Sequence, residues 1–171
     1  MRRSPSTQYS ESGIFMYSNV MSNKQSKNIQ VVLDILRDEV RGNVESALKK
    51  MGDNYSMTWV YKSPRKGVLF PKTGKNLKKE MLQCYPIKGR EYDIKNVAEG
   101  DGVVMVELIE SYPDSKTKKI YRTPLVLVLE MDKDKITSGR HYCDPNLSYL
   151  HLSKSQVARA YEGKKSKMVI K

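Results

Sequence analysis

The sequence predicts an α+β domain in which N-terminal helices pack on a curved, mostly antiparallel sheet. Two observations lead to this prediction. Apolar residues recur at helical spacing in the first half of the chain, whereas strand-like runs dominate after Glu91. The later runs are joined by short segments rich in glycine, aspartate and proline, and such links make neighbouring strands antiparallel.

Two helices are predicted at the start of the domain. Residues 29–40 place apolar side chains at positions i, i+3, i+4, i+7 and i+11, which form one face of a helix. Gly42 breaks this helix. Asn43 can cap a second, short helix that Gly52 closes, so the pair is predicted to form a helical hairpin.

A strand and a third helix follow. Residues 55–61 alternate so that Tyr55, Met57, Trp59 and Tyr61 share one face of a strand. The next helix is predicted to start at residue 73 or 74 and to end at Pro86, because proline cannot continue a helix.

The second half of the chain predicts four strands, over residues 91–98, 103–111, 119–131 and 135–143. The stretch 125–129 is apolar at every position, so both faces of that strand are expected to be covered. The helices can cover one face, and a second subunit or a terminal helix over residues 153–161 would cover the other. The lysine-rich end is expected to be disordered.

The 171 residues fit one domain with tails. We expect a disordered N-terminal extension over residues 1–27, the domain over 28–150, and a C-terminal helix with a basic tail over 151–171. The arginines and serines of the first residues weakly resemble a transit peptide. Disorder, or a translation start at Met16 or Met21, is the interpretation that we favour.

The net charge of +12 is concentrated in three places: both ends of the chain and the segment Lys62–Lys79, which holds seven basic residues and no acid. This segment could attract phosphates or an anionic substrate, but only Phe70 is available there for base stacking. A solvated lysine face is therefore the favoured interpretation, and a nucleic-acid partner is not expected. No apolar run is long enough for a membrane span, so no membrane partner is expected either.

The number and spacing of cysteines and histidines limit the metal sites that the chain could form. Cys84 and Cys143 are far apart in sequence, and His141 and His151 are the only histidines. A structural zinc site needs about four such ligands at close spacing, so no metal and no cofactor are expected. Two widely spaced thiols indicate a reducing compartment, and the predicted location is the cytoplasm.

A carboxylate and an imidazole on two strands form the sharpest functional hypothesis. Glu107 lies between Met105 and Ile109 in one apolar strand, and His141 lies near the end of the last strand. If both face an apolar cavity, they could form a proton-transfer pair. The alternatives are that Glu107 pairs with a basic residue on an exposed sheet face and that His141 bonds to a neighbouring carbonyl.

The order of elements resembles the nuclear-transport-factor-2-like fold, over roughly residues 28–150. This resemblance implies a cone-shaped roll, with the helices packed on a curved sheet. The segment 136–145 is similar to the last-strand pattern of its SnoaL-like polyketide cyclase and limonene-epoxide hydrolase branch, Ile-X-X-Trp-Arg-Asp-Tyr-Phe-Asp. Arg140, Tyr142 and Asp144 match this pattern. His141 stands where the pattern has its catalytic aspartate, and Gly139 replaces the tryptophan.

The resemblance implies a homodimer with a deep apolar pocket and assigns site residues by alignment. The arginine and aspartate of the family's Arg-X-Asp pair align with Met105 and Glu107. His141 and Glu107 are then the implied catalytic pair, and Gly139 would leave room for substrate. The remaining predicted substrate contacts are Trp59, Tyr61, Met105, Tyr121, Thr123 and Cys143.

The predicted function is that of a cofactor-independent lyase, isomerase, cyclase or hydrolase acting on a small hydrophobic molecule. The alternative is a non-catalytic module that holds a hydrophobic ligand or serves as a dimeric adaptor for another protein.

Overall fold

The structure is a computed structural model that describes residues 25–60, 72–147 and 150–171, without the side chains of residues 72, 74–76 and 84. The described residues form four helices and seven strands. The helices are α1 (Lys27–Arg41), α2 (Val44–Lys49), α3 (Gly74–Cys84) and α4 (Lys154–Ala160). The strands are β1 (Met51–Trp59), β2 (Lys72–Thr73), β3 (Glu91–Gly100), β4 (Val103–Pro113), β5 (Ile120–Asp132), β6 (Lys135–Cys143) and β7 (Met168–Ile170).

The first two helices form where their capping residues predict. Ser26 caps α1 by accepting a hydrogen bond from the amide of Ile29, and Asn43 caps α2 by accepting one from the amide of Ser46. Gly42 ends α1 in the left-handed region, with φ 69°, and its amide bonds back to the last turn of the helix. The helical hairpin is therefore confirmed.

The strands form one curved, open sheet in the order β2-β1-β6-β5-β4-β3-β7. All neighbours are antiparallel except β1 and β6, which run parallel and place Trp59 beside His141. The longest ladder joins β4 to β5, from Val103 opposite Glu130 to Pro113 opposite Ile120. The predicted α+β class, with helices on a curved and mostly antiparallel sheet, is confirmed.

The core lies between the helices and the inner face of the sheet. Val104, Val106 and Leu108 of β4 are fully buried and alternate with more exposed residues, as expected for a strand with one face on the core. The opposite side of this core comes from the apolar stripe of α1, which includes Val32, Leu33 and Leu36.

The first strand differs from its predicted bounds, since it spans Met51–Trp59 where residues 55–61 were expected. It begins at Met51, within the segment 43–52 in which the second helix was predicted. Gly52 is thus a strand residue, with Thr137 of β6 at van der Waals distance from the position its Cβ would take. Pairing with β6 extends this strand beyond what its local alternation indicates.

The C-terminal segment is ordered onto the sheet, so the expectation of a disordered end is wrong. The terminal helix forms as α4, and β7 then pairs with β3 across residues 92–94. Ile170 is buried, which explains why this short run joins the sheet. On the outer face, Lys95 contacts the ring of Tyr161 at 5.5 Å, and this contact places the end of α4 over β3.

Most of the basic segment 62–79 and all of residues 1–24 lie outside the described residues, as does Tyr61. Among the helices that the structure describes, none has the length and apolar character required to cross a membrane.

We expect Gly42→Ala to lower the free energy of unfolding by about 1–2 kcal/mol, because an L side chain is strained in the left-handed region that this residue occupies. Urea unfolding measures the change. Gly100→Ala is the matched control, since Gly100 has no positive φ and no atom within 4 Å of an added Cβ. Equal losses in the two variants would contradict the role of the backbone at Gly42.

Candidate active site

A cavity of about 430 Å³ opens between α1 and the inner face of the sheet. Its walls are apolar along the middle, where Leu125 and Leu127 face inward from β5. Polar side chains gather in two separate places, around Arg90 and around His141. Cavities of this size with few polar groups are typical of small-molecule sites.

The first polar group is centred on Arg90, whose side chain is only 4% exposed. Its Nη1 donates a hydrogen bond of 2.5 Å to Oε1 of Glu39, and its Nε lies 3.2 Å from Oε1 of Glu110. The guanidinium also lies over the ring of Tyr112, 5.8 Å from the ring centre. One buried arginine therefore contacts two carboxyl groups.

Each member of this cluster reaches the cavity from a different element. Glu39 follows Val32 by seven residues and Leu36 by three, so it lies on the apolar stripe of α1. Glu110 follows Leu108 by two residues and shares the inner face of β4. Arg90 directly precedes β3, at the point where the chain enters the sheet.

Burial makes both carboxyl groups reluctant to ionise. It raises the pKa of Glu110 from 4.5 to about 7; the charge of Glu39 raises it further, and Arg90 opposes the shift. Burial also raises the pKa of Glu39, while Arg90 and a hydrogen bond from Tyr92 lower it. Because Glu39 and Glu110 both line the cavity, their small exposed fractions, 19% and 18%, open into it.

The second polar group is centred on His141, which shares the inner face of β6 with Cys143. Its ring lies 6.5 Å from the ring of Trp59 on the neighbouring strand. Burial lowers the pKa of His141 from 6.5 to about 4, with an opposing contribution from a backbone hydrogen bond. The imidazole is therefore neutral at physiological pH.

The two polar groups lie at different positions along the sheet. Glu110 is opposite Thr123 of β5, whereas His141 is opposite Leu127 of the same strand. They are thus separated by two inter-strand spacings, roughly 10 Å, and by four residues along the strands, roughly 13 Å. This separation favours a ligand between the two groups over a direct hydrogen bond.

The predicted orientation of Glu107 is wrong, and so is that of Met105. Glu107 accepts a hydrogen bond from Asn96 on the outer face of the sheet, and Met105 is 49% exposed. The residues of β4 that face inward are those of the opposite alternation, Val104 to Glu110. Ile109 is buried even though it lies on the outer face with Met105 and Glu107. The apolar run therefore does not indicate which alternate residues of β4 face the cavity.

The structure places four predicted contacts in the wall of the cavity. Trp59, Tyr121, Thr123 and Cys143 line it together with His141. Tyr121 also bonds through its hydroxyl to Asp114, and its ring stacks on His151 at 4.5 Å.

Gly139 does not leave room for a ligand, contrary to the prediction. It is buried, and a Cβ placed on it would lie 2.8 Å from the sulfur of Met57 and 3.1 Å from Leu129. The methionine side chain therefore fills the space that the missing side chain vacates.

Sequence reasoning missed Glu39, Arg90 and Glu110. A usable signal existed for Glu39, since it is an acid on an otherwise apolar helical stripe. Glu110 would have followed from choosing the other alternation of its strand. Arg90 has no local signal, because its neighbours in sequence do not indicate that the chain is buried there.

Within residues 25–60, 72–147 and 150–171, no three His, Cys, Asp or Glu side chains lie close enough together to hold a metal ion.

Comparisons with known proteins agree with this geometry at the level of the fold. No family model matches the sequence, and no curated protein matches it. Three solved structures illustrate the structural likeness. A putative polyketide cyclase from Acidithiobacillus ferrooxidans superposes with a TM-score of 0.61 at 16% identity, over 75% of this chain and 95% of the other.

The second structure is an epoxide hydrolase of M. tuberculosis described as LEH-like, with a TM-score of 0.56 at 16% identity over 80% of this chain and 96% of that one. The third is a nuclear-transport-factor-2-like protein of unknown function from Cytophaga hutchinsonii, with a TM-score of 0.54 at 17% identity over 73% and 96%. The chain therefore has the nuclear-transport-factor-2-like fold, as its sequence resemblance implied.

We expect Glu110→Gln to change the pH dependence of stability. A carboxyl group whose pKa is raised in the folded state stabilises the fold fully below its unfolded pKa of 4.5, and this contribution is lost as the pH rises through about 7. Glu110→Gln has no carboxyl group to ionise, so it does not lose this stability as the pH rises. The difference in free energy of unfolding, variant minus wild type, should therefore increase by about 1–3 kcal/mol between pH 4.5 and 8.

Chemical denaturation across this pH range measures the difference between the two proteins. Glu107→Gln is the matched control, since it makes the same change on the same strand but on the outer face, away from the cavity. His141 contributes the opposite slope, because its lowered pKa gives stability that is present above pH 6.5 and is lost as the pH falls through about 4. A constant difference between Glu110→Gln and the wild type at every pH would contradict the raised pKa of Glu110.

Proposed function

We propose that this chain is a cofactor-independent enzyme that transfers a proton on a small hydrophobic molecule, as a lyase, isomerase, cyclase or hydrolase. The observation that supports it best is a carboxyl group, Glu110, that opens into an apolar cavity with a pKa of about 7. Such a group is populated in both protonation states at neutral pH, which is the condition for an effective general acid or base.

The surroundings of Glu110 suit this role. Arg90 holds the neighbouring Glu39 as its ionic partner, so the cavity needs no solvent ion to balance that charge. Positioned acid–base groups of this kind typically contribute ~100- to ~10,000-fold to a rate. The apolar walls favour a ligand that is itself largely apolar.

His141 is proposed as the second polar contact, at the far side of the bound molecule. Its neutral imidazole can accept or donate one hydrogen bond, while Trp59, Tyr121, Thr123 and Cys143 supply further contacts. The solved structures described as a polyketide cyclase and an epoxide hydrolase support the choice of reaction class.

We expect a panel of small apolar carbonyl compounds, lactones and epoxides to contain compounds that raise the melting temperature of the protein and are converted by it. Conversion is followed by mass spectrometry in water and in D₂O. Glu110→Gln should lower the rate by about 100-fold or more, because it removes the titrating proton and keeps the shape of the side chain.

Glu107→Gln is the control for this experiment, since it makes the same chemical change on the same strand but on the outer face. It should leave the rate within twofold of the wild type. Conversion that survives Glu110→Gln unchanged would refute the role of this carboxyl group. Compounds that stabilise the protein without being converted would favour the alternative, a non-catalytic module that binds hydrophobic ligands.

We also propose that the chain forms a homodimer through the outer face of the sheet. Met105 is opposite Val128, and Val126 is opposite Tyr142, so these four residues form an apolar patch on this face. Glu107 and Arg140 flank the patch, opposite Val126 and Val128. Met105 and Tyr142 are 49% and 40% exposed. Apolar patches on a sheet face are typical of subunit interfaces.

The cytoplasmic location that the two cysteines indicate remains a prediction.

We expect the wild type to show twice the mass of the chain in light scattering at micromolar concentration, and Val128→Glu to show the mass of one chain. A charge in the centre of a buried apolar interface carries a large desolvation cost. Leu82→Glu is the control, because Leu82 is 51% exposed on α3 and lies outside the patch. A wild type of single-chain mass would refute the dimer.

A further inference from the structure

Arg90 does not contact its two carboxylates equally. The 2.5 Å hydrogen bond from Nη1 goes to Glu39, whereas the contact of Nε with Glu110 is longer, at 3.2 Å. Glu39 also accepts a hydrogen bond from the hydroxyl of Tyr92. Charge-assisted hydrogen bonds stabilise the ionised form of the acceptor, so the negative charge is better supported on Glu39 than on Glu110.

Two buried carboxyl groups that share one cation behave as a coupled pair. With one positive charge available, the second negative charge has no partner in a medium of low polarity, and one proton is retained. The asymmetry of the contacts determines which group keeps it.

We propose that Glu39 is a positioning residue that strengthens the hold of Glu110 on its proton by engaging Arg90. Glu39 touches no reacting atom in this role. It neutralises Arg90, the cation that contacts Glu110 among the described residues, and so reduces the positive charge that would otherwise favour ionised Glu110. The cluster of Glu39, Arg90 and Glu110 thus connects the end of α1 with the inner face of β4 through the residue that precedes β3.

The other titratable groups around the pair leave this division unchanged. Tyr92 and Tyr85 have raised pKa values, chiefly because they are buried, so their phenols stay neutral. Tyr55 is likewise neutral, with burial and the charge of Glu39 raising its pKa. On the far wall, His141 is uncharged because burial lowers its pKa. Arg90 is therefore the only fixed positive charge among the residues described as lining the cavity.

Removing the charge of Glu39 is expected to release Arg90 to Glu110. In Glu39→Gln, the guanidinium no longer has an ionised partner on α1, and Glu110 becomes the group that it stabilises. The proton affinity of Glu110 should fall by at least about tenfold, since one opposing charge is lost and one attracting charge gains effect at close range.

The test is a pH titration of the ligand-free protein with ¹³C-labelled glutamate side chains, observed by NMR. The wild type should show one carboxyl group that titrates near neutral pH, assigned to Glu110 by its disappearance in Glu110→Gln. In Glu39→Gln, this titration should move to lower pH by one unit or more. Glu107→Gln should leave the titration in place.

A titration near neutral pH that is unchanged in Glu39→Gln would overturn the proposal, because burial alone would then hold the proton on Glu110. Glu39→Asp retains the charge and should keep the titration within half a unit of the wild type. A shift in Glu39→Asp as large as that in Glu39→Gln would also count against the role of charge.

Tyr92→Phe tests the role of the charge on Glu39 without removing that charge. It keeps the proposal testable if Glu39→Gln does not fold. The change removes one hydrogen bond from ionised Glu39, so the pair should hold its proton more tightly and the titration should move to higher pH. No movement, or movement to lower pH, would contradict the proposal.

The catalytic consequence of Glu39 rests on the proposed function, but the titration uses no substrate. If no compound is converted but the titration shifts in Glu39→Gln, the proposed enzymatic function is rejected and the positioning role of Glu39 is retained. An unshifted titration with turnover that depends on Glu110 would keep the enzyme and reject the role of Glu39.

Discussion

The buried side chain of Arg90 is the constraint on which the rest of this structure depends. It joins Glu39 of α1 to Glu110 on the inner face of the sheet. The guanidinium is an ionic partner of both carboxyl groups. Removing one partner of a buried ion pair typically costs about 3–5 kcal/mol, so this polar contact is a structural requirement as well as a chemical resource.

The cavity follows from the same arrangement. A curved sheet and the helices that cover it close around apolar residues at one level, where Val104, Val106 and Leu108 fill the space completely. Nearer to Arg90 the wall includes polar side chains, and the cavity extends between Glu110 and His141. The wall thus combines one carboxyl group that gains a proton by burial with one imidazole that loses its proton by burial.

The fold could be predicted from the sequence because periodicity and capping are local. The stripe of α1, the cap at Asn43 and the short turns between the later strands each indicate one structure. Strand parity is weaker information where both faces are partly buried, and Ile109 on the outer face made the wrong alternation of β4 look correct. The cluster around Arg90 could not be predicted, since it depends on three elements that meet only in the folded chain.

The parallel pairing of β1 with β6 has a consequence for how the site comes into being. Trp59 and His141 lie side by side although some eighty residues separate them along the chain. Contacts between such distant residues form late, because a long loop must close before they contribute any stability. During synthesis on the ribosome, the first three helices and the first strand emerge long before β6, the strand that completes the cavity. A nascent chain therefore has no binding site to offer until nearly all of its domain has been made.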